Sequence, residues 1–118
     1  MTEAWAEYLH YLKQTEGRHT NIAIVDDIRR DAELLAETVE AYMSVHSISC
    51  GKAKLFASGE DFLRDFKPAV YNIIFLDIYM TGMSGMDTAH DIRKLDSECS
   101  IIFVTTSPDF AVDSYEVN

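Results

Sequence analysis

The feature that most constrains this chain is a strict alternation of short apolar runs with amphipathic patterns from residue 21 onward. Apolar runs at residues 21–25, 53–57, 71–76 and 100–104 predict four strands, and the third run is apolar on both faces. Between the first two runs, Ala32, Leu35, Val39 and Tyr42 recur at spacings of three and four, which predicts a helix. Strands that alternate with helices over short connections are typical of an open, doubly wound parallel α/β sheet with helices on both faces.

Local signals place the ends of the later helices. Ser58 is a predicted cap for a short helix that contains Phe62 and that Pro68 stops. Another helix is predicted after the loop at residues 82–85. Pro108 suits the first position of a last helix, which we expect to run through Tyr115.

Residues 1–20 lie outside this alternation. A helical stripe of apolar residues, which Gly17 ends, is formed by Trp5, Tyr8, Leu9 and Leu12. Such a stripe either packs against the rest of the domain or docks on a partner. We therefore predict an N-terminal helical extension at residues 1–20 and one α/β domain at residues 21–118.

Composition excludes several classes of function. The 118 residues fit one domain, and 47% apolar with 25% charged residues is the mix of a globular protein. Ten Lys and Arg against twenty Asp and Glu give a net charge of −10, which argues against nucleic-acid contact by this segment. Cys50 and Cys99 form no metal or disulfide motif and are expected to be small buried hydrophobes. No membrane span or secretion signal is evident, so the expected location is the cytoplasm.

Polar residues follow three of the predicted strands directly. Asp26 and Asp27 follow the first strand, Asp77 follows the third, and Thr105 follows the fourth. Ligands of open parallel sheets bind beyond the carboxyl ends of the strands, so these side chains are expected to converge. Asp26 or Asp27 taken singly has another interpretation, which is capping of the next helix.

Three converging carboxylates repel one another unless a cation neutralises them. Mg²⁺ is a hard cation that binds carboxylates, waters and phosphate oxygens, so it is the predicted cofactor. A carboxylate such as Asp77 beside that ion can attack a phosphoryl group and form an aspartyl phosphate. The hydroxyl of Thr105 would then hydrogen-bond the attached group.

With these residues in place, the sequence resembles the receiver domains of response regulators. The runs IAIVDD at residues 22–27, IIFLDIYM at 73–80 and IIFVT at 101–105 carry the resemblance, together with GMSG at 82–85 and DFAVDSYEV at 109–117. The likeness covers residues 21–118 and is strongest to receivers of the LytR/AgrA class, which precede a LytTR-type DNA-binding domain.

This resemblance implies a flavodoxin-like fold with strand order 2-1-3-4-5 and a role in two-component signalling. A histidine kinase would phosphorylate Asp77, with Mg²⁺ held by Asp26, Asp27, Asp77 and the backbone carbonyl of Tyr79. Thr105 would be the switch hydroxyl. The domain would be a signalling phosphoacceptor that switches a DNA-binding transcription regulator, with at most self-phosphorylation and self-dephosphorylation as its own activity.

Two departures from the family pattern stand out. Thr81 occupies the position where the family usually has proline. The family's fifth strand, last helix and phosphate-binding lysine are expected beyond Asn118, so the receiver is predicted to be incomplete at its C-terminus. That would leave residues 100–104 as an exposed apolar edge, which predicts self-association or exchange of elements between copies.

Two rival functions remain open at this point. A haloacid-dehalogenase-type phosphohydrolase also uses an Asp after a parallel strand, but it requires an acid two residues later, where this chain has Tyr79. A degenerate receiver that acts only as a protein-interaction module would fit the absent lysine. Phosphoryl uptake from a small donor separates the degenerate receiver from an active one.

Overall fold

The computed structural model describes residues 19–104 and 114–117. Along the chain the elements are β1 (Ile22–Val25), α1 (Arg29–Val45), β2 (Lys54–Phe56), α2 (Gly59–Asp65), β3 (Ile73–Asp77), α3 (Gly85–Leu95), β4 (Ser100–Val104) and β5 (Ser114–Val117). All four predicted strands are therefore present, each within about two residues of its expected bounds. The helix predicted in residues 1–20 falls outside the described residues apart from its last two positions.

The strands form one sheet in the order β2-β1-β3-β4-β5. The first four are parallel, as predicted, with Ile24 opposite Leu55 on one side of β1 and Phe75 on the other. The chain leaves β1 toward β2 and later crosses back to β3, so the strand order reverses at β1. In open α/β sheets this reversal opens a crevice at the carboxyl ends of the two strands.

Alternate residues of each strand supply two separate cores, one on each face of the sheet. On one face α1 packs its buried residues against the sheet; this core contains Ile22, Ile24, Ala32, Ala36, Val39, Met43, Ile48, Ile73, Phe75, Ile102 and Val104. On the other face α2 and α3 pack against Ala23, Val25, Ile74, Leu76, Ile101 and Phe103. Burial on both faces explains why β1, β3 and β4 read as apolar runs rather than as alternating ones, whereas the edge strand β2 is only partly buried.

Side-chain caps begin two of the helices. The Ser58 hydroxyl accepts a hydrogen bond from the Asp61 N–H at 3.0 Å, which confirms the predicted start of α2. Ser84 caps α3 in the same way by accepting from the Asp87 N–H at 3.1 Å. Within the described part of the chain, none of the helices has the length and apolar character that a membrane crossing requires.

The fifth strand corrects two expectations. Residues 114–117 are extended and pair antiparallel with β4, with Tyr115 opposite Phe103, so the helix predicted to run through Tyr115 is wrong for these residues. Backbone pairing with β4 outweighs the local helix signal from Pro108, which lies outside the described residues. β4 is therefore paired on both sides, and the exposed edge from which we predicted self-association is absent from residues 100–104. Self-association stays a prediction without that basis.

A polar network ties together the turns at the amino ends of the strands. Asp96 is buried, and its carboxylate accepts hydrogen bonds from the N–H groups of Ala69, Glu98 and Cys99 at 2.9, 2.7 and 3.1 Å. Burial opposes ionisation of Asp96, but these three donors outweigh it and lower its pKa. Asp96 thereby joins the turn before β3 to the turn before β4, a role that the sequence did not suggest to us.

Candidate phosphoacceptor and metal site

Three carboxylates meet at the carboxyl ends of β1 and β3, as predicted. Asp26 and Asp27 follow β1 directly, Asp77 is the last residue of β3, and one carboxylate oxygen from each lies within 4.8 Å of the others. Asp26 and Asp77 are buried, with 6% and 2% of their surface exposed, whereas Asp27 is exposed. The site therefore has two buried acids and one exposed acid.

Each carboxylate accepts one backbone hydrogen bond. Asp26 Oδ1 accepts from the Ile28 N–H at 2.9 Å and Asp77 Oδ1 accepts from the Tyr79 N–H at 3.2 Å. Asp27 Oδ2 accepts from the Thr81 N–H at 3.0 Å, across 54 residues of chain. The backbone thus holds one oxygen of every acid in place.

The capping alternative for the acidic pair is wrong. The N-cap of α1 is Ile28, and no side chain caps this helix. Asp26 instead bonds to the Ile28 N–H, which stabilises the turn between β1 and α1. Neither acid of the pair is therefore explained as a helix cap.

Burial and like charge make ionisation of this cluster costly. Burial, and then the negative charge of Asp26, raise the pKa of Asp77 to about 7, against the opposing effect of the Tyr79 N–H. Burial is also the main reason that the pKa of Asp26 is raised, with Asp31 and Asp27 adding repulsion. The protein thus holds two acids together in a state that a bound cation would relieve.

The donor set fits a hard divalent cation. All three ligand groups are carboxylates, and Asp77 Oδ2 is buried and accepts no hydrogen bond from the residues that the structure describes. Buried polar atoms are normally satisfied, so an unpartnered carboxylate oxygen inside an acidic cluster fits a site that binds a cation or a reacting group. Asp26, Asp27 and Asp77 are therefore the residues that would hold such an ion.

Two concavities larger than the one at the acids lie elsewhere on the described residues. One of about 380 Å³ lies between α1 and the segment before β2, one of about 490 Å³ lies between α1 and β2, and neither is lined by any of the three acids. A smaller cleft of about 50 Å³ is lined by Asp26 and Asp27, with Phe56 and Ala57 on its far side. We assign the chemistry to the acidic cluster because an ion and a phosphoryl group need converging charge rather than volume.

The two remaining predicted site residues have different outcomes. Thr105 lies outside the described residues, and its switch role stays a prediction. The Tyr79 N–H contacts Asp77, its side chain is 61% exposed, and the role of its carbonyl as a metal ligand stays a prediction. Sequence reasoning missed Glu60, whose carboxylate accepts from the Met83 N–H at 3.4 Å and so holds the loop after β3 from the side of α2.

Comparison with known proteins agrees with this fold. Residues 22–117 match the family described as the response regulator receiver domain, and the chain belongs to that family. Its place is therefore in two-component signalling, among domains that transmit a signal rather than turn over a substrate.

Among curated relatives, the sensory transduction protein LytT of Enterococcus faecalis is 30% identical over 98 residues, which is 83% of this chain and 38% of that protein. LytT of Bacillus subtilis is 29% identical over 100 residues, which is 82% of this chain and 38% of that protein. The chain thus spans well under half the length of the curated relatives that it matches.

Solved structures agree as well. The response regulator TrrA of Thermotoga maritima, solved in complex with Mg²⁺-BeF, is 28% identical with a TM-score of 0.61, over 76% of this chain and 72% of that one. A complex of the histidine kinase ThkA with TrrA also matches, at 30% identity and a TM-score of 0.62 over 80% of this chain and 75% of that one.

Proposed function

We propose that this chain is the phosphoacceptor receiver of a two-component response regulator, with Asp77 as the phosphorylated residue. The observation that carries the proposal is the unpartnered, buried Asp77 Oδ2 within a group of three carboxylates at the reversal of strand order. The likeness to LytT proteins and to a regulator crystallised with its kinase supports a histidine kinase as the donor.

In this proposal Asp77 Oδ2 is the nucleophile. The Tyr79 N–H fixes Oδ1, so the other oxygen is left to attack the phosphorus of a phosphohistidine. One O–P bond forms, the P–N bond breaks, and its electron pair returns to the imidazole nitrogen of the donor. Only the ionised carboxylate can attack, so a positive counter-charge that lowers the raised pKa of Asp77 would increase the reactive fraction at neutral pH.

Mg²⁺ would be held by Asp26, Asp27, Asp77 and the Tyr79 carbonyl, and when bound it supplies positive charge that favours the carboxylate and offsets charge on the phosphoryl oxygens. Asp26 is held by the turn before α1 and Asp27 by the loop after β3, so both present carboxylate oxygens without rearrangement of the sheet. Thr105, directly after β4, is the proposed hydroxyl that bonds the attached group.

The proposal also covers the output of the regulator, its location and the chemistry of the receiver itself. The relatives are named as sensory transduction proteins, and the resemblance of the sequence to the LytR/AgrA class implies an output that regulates transcription through a separate DNA-binding region, in the cytoplasm. The acidic composition of this segment argues that it does not itself contact DNA. Self-phosphorylation from small donors and slow self-dephosphorylation would be its own chemistry.

Phosphoryl uptake tests the proposal directly. The protein is incubated with acetyl phosphate and Mg²⁺, and its intact mass is measured with and without EDTA. We expect a gain of one phosphoryl group that requires Mg²⁺ and that disappears in Asp77→Asn, because a side-chain amide is a poor nucleophile.

Asp91→Asn is the matched control, since Asp91 lies on α3 with a partly exposed side chain and outside the acidic cluster. It should label like the wild type. Undiminished labelling of Asp77→Asn would show that the acceptor is another residue. A folded wild-type protein that takes up no phosphoryl group from acetyl phosphate or a kinase would favour the degenerate receiver instead.

A further inference from the structure

The three acids of the site differ in how they are held. Asp26 and Asp77 are buried, and each accepts its hydrogen bond from the residue two positions later, so local turns orient them. Asp27 is exposed, and the backbone hydrogen bond that the structure gives its carboxylate comes from Thr81, 54 residues away. Neither burial nor a local turn fixes the Asp27 side chain, so its orientation depends on this distant donor.

The donor is itself held in place. Thr81 lies in the loop between β3 and α3, and the same loop bonds to Glu60 of α2 through the Met83 N–H at 3.4 Å. At the far end of the loop, the Gly85 N–H donates to the Ile78 carbonyl at 3.1 Å and Ser84 caps α3. The Thr81 N–H is therefore presented by a loop that is tied to the rest of the fold on either side of residue 81.

We propose that Thr81 is a positioning residue for the cation site, acting through its backbone N–H on Asp27 Oδ2 and leaving the other oxygen of Asp27 for the ion. This inference rests on the proposed function, since it assumes that the acidic cluster binds Mg²⁺. Groups that orient a ligand by hydrogen bonding commonly change metal affinity by about tenfold or more when they are removed. The family usually has proline at this position, and proline has no N–H. Thr81 can donate this hydrogen bond because it replaces that proline.

The chemistry of residue 81 gives a clean pair of variants. Thr81→Pro removes the N–H, whereas Thr81→Ala keeps the N–H and removes only the side chain. The dissociation constant for Mg²⁺ is measured by calorimetry on each folded protein. We expect Thr81→Pro to weaken Mg²⁺ binding about tenfold and Thr81→Ala to leave it within about twofold of the wild type.

A double-mutant cycle separates positioning from a general effect on the loop. In an Asp27→Ala background the side-chain oxygens that Thr81 orients are absent, so Thr81→Pro should no longer alter the remaining Mg²⁺ affinity. An equal loss in both backgrounds, or no loss in either, would overturn the inference. If the wild type binds no Mg²⁺ at all, the proposed function fails together with this inference, and that result is distinct from wild-type binding that Thr81→Pro leaves unchanged.

Amide hydrogen exchange covers the case in which Thr81→Pro does not fold. In the wild-type protein the Thr81 amide should exchange slowly, and Asp27→Ala should speed its exchange by about tenfold or more while amides of β4 keep their rates. Saturation with Mg²⁺ should preserve the slow exchange, because the inferred role requires the bond to Asp27 Oδ2 to persist when the ion is bound. Loss of protection on saturation would mean that Asp27 leaves Thr81 to bind the ion, which contradicts the role assigned to Thr81.

Discussion

Replacing Gly85 with alanine should destabilise the fold by about 3 kcal/mol or more, or prevent folding. A Cβ atom at residue 85 would overlap the carbonyl oxygen of Asp77 and would lie 2.9 Å from both the Asp77 carbonyl carbon and the Ile78 Cα. All three atoms belong to the backbone at the end of β3, so no side-chain rotation relieves the overlap. Urea unfolding followed by circular dichroism measures the loss.

Gly51→Ala is the matched control for this effect. Among the described residues, a Cβ atom at residue 51 would meet only the His19 ring, at 3.4 Å, and His19 is exposed. Its free energy of unfolding should stay within about 1 kcal/mol of the wild type. A Gly85→Ala protein as stable as Gly51→Ala would show that α3 does not approach the phosphoacceptor strand as closely as described.

The second large effect concerns the charge of the site in the absence of metal. In EDTA near pH 8, Asp77→Asn should be more stable than the wild type by about 2–4 kcal/mol, because the wild type must bury an ionised Asp77 beside Asp26. The folded-state pKa of about 7 lies above the ordinary value of 3.8, so the fold favours the protonated acid. The stability that this acid contributes is present below about pH 4 and is lost as the pH rises through about 7.

The measurement is the difference in free energy of unfolding between the two proteins from pH 4 to pH 8. The difference should be small at pH 4 and should grow toward pH 8, while stability changes caused by other groups largely cancel. Mg²⁺ should then stabilise the wild type by about 2.7 kcal/mol at one hundred times its dissociation constant, and Asp77→Asn by less. A difference in free energy of unfolding that does not change with pH would show that the fold does not raise the pKa of Asp77.

The sequence was sufficient to predict the parallel strands and the acids at their ends. The apolar runs that form β1, β3 and β4 are buried on both faces, a pattern that is typical of short strands in a parallel sheet. Given that sheet, the positions of Asp26, Asp27 and Asp77 follow from the rule that all parallel strands end at one edge. The prediction needed no knowledge of side-chain packing.

The parts that escaped prediction depend on backbone geometry or on long-range pairing. The N–H donors of Ile28, Tyr79 and Thr81 act through the main chain, and residue type carries almost no signal for them beyond the absence of proline. The extended residues 114–117 owe their state to pairing with β4, because a four-residue segment has too little pattern to decide between helix and strand.

The two ends of the sheet carry opposite electrostatic arrangements. At the carboxyl ends, three acids crowd together, and the pKa values of Asp26 and Asp77 are raised. At the amino ends, Asp96 collects three N–H donors, and its pKa is lowered. Mild acid therefore protonates Asp77 and removes its repulsion with Asp26, while Asp96 stays ionised and keeps the turns before β3 and β4 joined. Stronger acid protonates Asp96 as well and weakens its hydrogen bonds to those turns. The hydrogen bonds of Asp96 therefore hold the amino ends of β3 and β4 together over a pH range in which the charge around Asp77 changes.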